Sequence, residues 1–115
     1  MNKKMKKIKV IDIIHKKIGV STDDAQMVHD IVFDELNHGH KVELSFEGIE
    51  LLISHFLNVS VGGLYRETKF NIVDNDLTFT GLSDDDLELL EKRVIPTAKK
   101  HFANSDNCLK IDEEV

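Results

Sequence analysis

One cysteine, one proline and no tryptophan in 115 residues remove several kinds of protein at once. The lone thiol, Cys108, excludes an internal disulfide framework and fits a reducing compartment. The longest apolar runs are a few residues, such as Leu51-Leu52-Ile53, far short of the ~20 that a membrane span needs. The basic start, Met1 to Lys7, leads into alternating Ile and Lys rather than an apolar stretch with a small-residue cleavage site, so no signal peptide is expected. Internal repeats and low-complexity blocks are also lacking. No Gly-x-Ser-x-Gly elbow and no glycine-rich phosphate loop frames the serines, histidines and aspartates. The expectation is a protein that is not an enzyme.

What is present is a chain 41% hydrophobic and 31% charged, which places it among globular domains. A domain of this size buries roughly 65% of its unfolded surface, so burial shared within a dimer would help it. The net charge of −6 conceals a gradient. Residues 1–20 hold seven Lys against Asp12, a net of +6, whereas residues 21–65 hold eight acids against Lys41, a net of −7. A basic segment of this kind is either a solvated face or a phosphate-contacting surface.

Ile8, Ile11, Ile14 and Ile18 recur at spacings of three and four, with Lys6, Lys7, Lys9, Lys16 and Lys17 between them. That spacing predicts an amphipathic helix from Met5 to Ile18, stopped by Gly19. Ser21-Thr22-Asp23-Asp24 caps a second helix carrying Ala25, Val28, Ile31, Val32 and Leu36 and closing at Asn37-His38-Gly39. The period then becomes two. Val42, Leu44 and Phe46 predict a strand, and Ile49, Leu51 and Ile53, alternating with Glu50, Leu52 and Ser54, predict a second one running to about Phe56, although a short helix fits 49–57 as well. Gly62-Gly63 predicts a hairpin tip, and Phe70, Ile72, Leu77 and Phe79 continue the β pattern. Ser83-Asp84-Asp85-Asp86 opens a third helix with Leu87, Leu90 and Val94, which Pro96 ends or kinks before a short helical piece and an acidic tail.

The six histidines raise the question of a metal. His38-Gly39-His40 sets two imidazoles across a turn without the further ligands a zinc site needs. His15 and His29 fall on helix faces, and Asp84 to Asp86 lacks the spaced oxygens of a calcium loop. No metal and no cofactor is expected.

The order of elements, together with Ile11-Asp12-Ile13-Ile14 through Gly19-Val20-Ser21, Gly39-His40-Lys41-Val42-Glu43-Leu44, and Phe79 before the Leu87 helix, resembles the HU/IHF family of DNA-architectural proteins. The resemblance covers residues 5–93 and is strongest over 8–45. It implies an α+β fold: an N-terminal helical hairpin, an antiparallel β-sheet with a hairpin arm, and a C-terminal helix, intertwined as a dimer. Residues 1–93 would form that domain, and residues 94–115 an extension with a short helix and an acidic tail. The resemblance further implies cytoplasmic, nucleoid-associated protein or protein of a phage-infected cell or virion.

Departures from the family bear on function. Residues 56–73 contain no proline wedge, Glu47 stands before Gly48, and three aspartates open the third helix. The favoured reading is a homodimer that binds double-stranded DNA with low specificity. Its phosphate contacts would be Lys3, Lys4, Lys6, Lys7, Lys9, Arg66, Lys69, Lys99 and Lys100. The alternative is the same fold used as a structural or protein-interaction component, with its acidic face toward a basic protein partner. Neither reading involves a membrane.

Overall fold

The computed structural model describes the backbone of residues 4–110 and the side chains of residues 4–102. Met5–Lys9 is a strand, β1, and Val10–Ile14 a short helix, α1, ended by His15 in the left-handed region (φ 58°). Ile18–Gly19 is a two-residue strand, β2. A helix over Met5–Ile18 therefore does not form. The Ile spacing satisfies a helical period, but the segment is dense in β-branched residues, which suit a pleated surface. Its backbone groups pair with a strand 36 residues away, Met5 opposite Lys41 and Lys9 opposite Ser45, in parallel.

Helix α2, Thr22–Asn37, forms where its cap signals place it. Ser21 Oγ accepts from the backbone N–H of Asp24 at 3.3 Å. Ala25, Val28, Val32 and Leu36 recur at three and four residues and are buried. Strand β3, Lys41–Ser45, follows, then the two-residue strand β4, Leu51–Leu52.

From Ser54 onward the chain is helical rather than a hairpin: α3 (Ser54–Leu57), a π-helical segment (Asn58–Gly62) and α4 (Leu64–Glu67). Phe56, Leu57, Val61, Leu64 and Tyr65 share one helical face and are buried. The glycine pair here permits close approach instead of a turn. A Cβ on Gly63 would lie 3.2 Å from Cδ2 of His29, and one on Gly62 3.7 Å from the Cβ of Ala98. Phe70–Asp76 is helix α5 where β structure was expected, and Leu77–Thr80 is strand β5.

Ser83 caps α6, Asp84–Leu89, by accepting from Asp86 N at 3.1 Å. Leu90–Val94 is π-helical and runs into α7, Ile95–Lys110. Pro96 thus does not end the helix. Its ring would collide with the carbonyl four residues back in a regular helix, and the wider pitch just before it is where that conflict is relieved.

The main sheet has the order β1-β3-β5 with every pair parallel, and β2 pairs with β4 in a separate parallel ribbon. This overturns the HU/IHF-like architecture, which requires an antiparallel sheet, a β arm and intertwined chains. Parallel neighbours need long crossovers; α2 supplies the first, and the helices of residues 54–76 the second. Ile8, Leu44 and Phe79 align across the strands, as do Lys6, Val42 and Leu77. That face meets the core with Val28, Val32, Phe56, Val61 and Leu90. The opposite face carries Lys7, Lys41, Thr78 and Thr80, which are exposed, with Met5 exposed beside Lys41 and Ser45 buried beside Thr80. Parallel sheets are normally covered on both faces, so the polar ladder is what lets this one stay open.

Gly81 fixes the exit from β5. Its φ is +75°, and a Cβ there would stand 2.5 Å from the backbone N of Glu47.

Candidate functional site

The positive charge that is segregated along the sequence is not segregated in space. Pairing β1 with β3 and β2 with β4 lays the Lys-rich segment beside the acid-rich one. Lys7 Nζ comes within 3.9 Å of Glu43, Lys9 within 3.8 Å of Glu47, Lys17 within 3.9 Å of Glu50, and Lys16 within 2.7 Å of Asp24. Two of these four pairs, Lys9–Glu47 and Lys17–Glu50, are exposed on both sides and contribute ~0–1 kcal/mol each. The consequence of the four is electrostatic: Lys7 and Lys9, two of the lysines nominated for phosphates, face carboxylates.

The remaining nominated residues are dispersed. Lys3 lies outside the described residues. The carbonyl of Lys4 accepts from Lys41 N–H at 2.8 Å. Lys6 is aligned with Val42, on the side of β1 that faces the core. Arg66 is on α4, 3.5 Å from Glu67, and Lys69 precedes α5. Lys99 Nζ is 2.6 Å from Asp74 Oδ2, and Lys100 is exposed on α7. They form a strand-edge set and a helical set, not one basic surface.

The Lys99 contact belongs to a cluster tying three helices together. Tyr65 Oη on α4 donates to Asp74 Oδ1 on α5 at 2.8 Å, and the Lys99 ammonium of α7 lies 5.6 Å from the Tyr65 ring centroid. Burial, then the hydrogen bond to the anionic Asp74, pushes the Tyr65 phenol well above its ordinary range. The histidines at the end of α2 are occupied locally. His38 Nδ1 donates to the Asp34 carbonyl at 2.7 Å, and the His40 ring meets Glu35. Glu35 is held below the usual carboxylate range by that His40 hydrogen bond and, less, by the Lys6 charge. Among the described residues no group of three His, Cys, Asp or Glu could hold a metal, and no helix is long and apolar enough to cross a membrane. The side chain of Cys108 lies outside the described set.

One surface is apolar where a folded chain normally is not. Ile18 and Leu51 are Cα partners across β2 and β4, so both side chains leave the ribbon on one side. They are 42% and 53% exposed. The ladder continues through Ile53 N–H to the Gly19 carbonyl at 3.2 Å, and the period of two puts Val20 and Ile53, each 37% exposed, on the same side. Gly19 and Leu52 turn the other way, where a Gly19 Cβ would meet Leu52 and Phe56. The sequence reading placed Ile18 on a helical stripe and Leu51 and Ile53 in a strand running to about Phe56, and so missed this face. Leu52 is what conceals it, since a strand apolar on both sides has no inside in its pattern. The signal available was Gly19, a position without a side chain between two β-branched residues.

A second feature is polar and enclosed. His29 on α2 is 3% exposed and stacks parallel to Phe33, with ring centroids 6.1 Å apart. Its Nδ1 is 2.9 Å from Asp30 Oδ1, and this bond, with a second from Gln26, holds the Asp30 carboxylate below its ordinary range. Glu67 Oε1 is 3.2 Å from Nε2 but outside hydrogen-bond geometry, so Nε2 is buried without a hydrogen-bond partner.

Comparison with known proteins bears on all of this. Residues 24–87 match the family model described as a STAS-like domain of unknown function (DUF4325). No curated protein and no solved structure matches the chain. The match runs from α2 through β3, the helical stretch and β5 into α6, the portion in which the parallel topology departs from the histone-like expectation. It displaces the HU/IHF-like, nucleoid and DNA-condensing description drawn from the sequence. Spanning more than half of its length, it shows that the chain belongs to the family of STAS-like domains of unknown function (DUF4325).

Proposed function

We propose that the protein is an interaction module whose working face is the β2–β4 ribbon and whose partner is a second copy of itself. The observation that carries this reading is the one-sided apolar set Ile18, Val20, Leu51 and Ile53. Contiguous apolar patches of a few hundred Å² on soluble chains are commonly interaction sites.

The charges beside the ribbon favour self-association. Lys17 precedes β2, and Glu50 precedes β4, its backbone N–H bonded to the Lys17 carbonyl. One side of the patch is therefore positive and the other negative. A two-fold axis running along the ribbon between its strands lays β2 of one copy over β4 of the other, and sets Lys17 against Glu50 of the partner subunit. Such an arrangement is isologous and closes as a dimer. A stable dimer buries roughly 800 Å² per partner, more than four side chains supply, so the association is weak and concentration-dependent.

Light scattering across a concentration series tests it. The expected result is a mass rising from monomer to dimer, with Leu51→Lys monomeric throughout and unchanged in circular dichroism. A wild-type chain that stays monomeric at millimolar concentration overturns the self-partner reading, and so does a Leu51→Lys variant that dimerises normally.

A further inference from the structure

His29, whose Nε2 is buried without a hydrogen-bond partner, lines a groove of about 410 Å³, open to solvent, between α2, the 54–67 helical stretch and α7. This volume is within the range of small-molecule sites, about 300–1,000 Å³. Both π-helical segments contribute to it, Asn58, Val59 and Gly62 from the first and Val94 from the second. Wide turns of this kind are rare and concentrate at functional sites. They act here by opening the helix wall, and Gly62 and Gly63 leave backbone rather than side chain along the floor.

The lining has a definite chemical character. Val59, Val94, Ala98 and Phe102 make an apolar wall. The ionisable groups of the lining are Arg66, His29 and His101, and the Glu67 carboxylate lies just outside it, 3.2 Å from His29 Nε2. Arg66 is exposed and has only a 3.5 Å contact with Glu67, so its guanidinium is available to a ligand. At His29, Nδ1 contacts both Asp30 Oδ1 at 2.9 Å and the Gln26 amide nitrogen at 3.1 Å, while Nε2 is left without a hydrogen-bond partner. A buried polar atom left unpaired calls for a hydrogen-bonding group on the ligand.

We propose that this groove binds a small amphiphilic organic anion. Its apolar body lies on the Val94, Ala98 and Phe102 wall, its acid group meets Arg66 and His101, and a polar group on its edge hydrogen-bonds to His29. The site is separate from the β2–β4 ribbon and does not depend on dimerisation.

The test uses 8-anilinonaphthalene-1-sulfonate, an aromatic sulfonate with a secondary N–H, titrated into the full chain by fluorescence and by amide NMR shifts. The expected result is saturable one-to-one binding with shifts centred on Gln26, Asn58, Gly62 and Gly63. Arg66→Glu, at an exposed position that leaves the fold intact, weakens binding at least about tenfold, and Lys41→Glu, the same charge change on the open sheet face, leaves it unaltered. His29→Leu, which removes the ring nitrogens, also weakens binding; its amide spectrum shows whether the fold is kept. Competition by 4-hydroxybenzoate, an anion with an O–H, displaces the dye. Shifts centred instead on Ile18 and Leu51, equal losses in Arg66→Glu and Lys41→Glu, or absence of binding overturn the proposal.

Discussion

Lys99 Nζ sits 2.6 Å from one oxygen of Asp74 while the other oxygen accepts from Tyr65, so a single carboxylate joins α4, α5 and α7. Tyr65 is buried, whereas Asp74 and Lys99 are more than a third exposed. Tyr65→Phe, which removes a hydrogen bond to a charged acceptor, is expected to cost about 1.5–3 kcal/mol in urea unfolding. Lys99→Met is expected to cost under about 1 kcal/mol, because solvent screens the pair. A larger loss from the lysine than from the phenol would show that the ion pair, not the hydroxyl, holds the helices together.

Tyr65 is the only tyrosine, so absorbance titration reads it alone. Its folded pKa is raised, so its stabilising contribution is complete below the ordinary value of 10.0 and is lost as pH climbs through the folded value. The phenol is expected to ionise only as the chain unfolds at high pH. Ionisation near pH 10 with the circular dichroism spectrum intact would contradict the burial.

His38 ends α2, where its hydrogen bond to the Asp34 carbonyl, and then the Asp34 charge, raise its pKa above the ordinary 6.5. The group therefore stabilises the fold below pH 6.5, and this contribution disappears as pH rises through the folded value. NMR titration of the ring should show the raised value, and Asp34→Asn should lower it only in part, since the backbone acceptor remains. A His38 that titrates at or below 6.5 would remove the interaction.

Two glycines with positive φ separate strain from crowding. Gly39 (φ +83°) has open space around its missing Cβ, whereas a Cβ on Gly81 would sit 2.5 Å from Glu47 N and 3.1 Å from Phe46 C. Gly39→Ala is expected to cost about 1 kcal/mol, and Gly81→Ala more than about 3 kcal/mol, because β3 and β5 must separate there. Equal losses in denaturant melts would count against the crowding.

Charge exchange tests the orientation of the dimer. Lys17→Glu and Glu50→Lys should each weaken self-association several-fold, and the double exchange should restore it, because it recreates the same two-fold pattern with reversed signs. Failure of the double variant to recover in sedimentation equilibrium would exclude the axis along the ribbon.

Elements announced by local chemistry were legible in the sequence. Ser21 and Ser83 mark the starts of α2 and α6, and Val42, Leu44 and Phe46 mark β3. What was not legible depends on residues far apart in the chain. Met5–Lys9 satisfies a helical spacing and becomes a strand only because Lys41–Ser45 is there to pair with it. Gly62-Gly63 carries a turn signature, and nothing nearby reveals that Ala98 and His29 will approach it closely. The charge gradient along the chain does not foretell the interleaving of Lys7, Lys9 and Lys17 with carboxylates in space, for the same reason. The groove escaped notice because its walls come from three separate stretches, and its most telling atom, Nε2 of His29, is defined by burial alone.

The interleaving of Lys7, Lys9 and Lys17 with Glu43, Glu47 and Glu50 also concerns the chain before it folds. In the unfolded ensemble a +6 segment is tethered next to a −7 segment. Their mutual attraction draws β1 toward β3 before any backbone bond exists, offsetting part of the loop-closure entropy that makes parallel pairing slow. Added salt shortens the reach of that attraction to a few ångströms. Refolding should therefore slow with ionic strength more than unfolding accelerates, an electrostatic guide written into the order of the charges and spent by the time the sheet is complete.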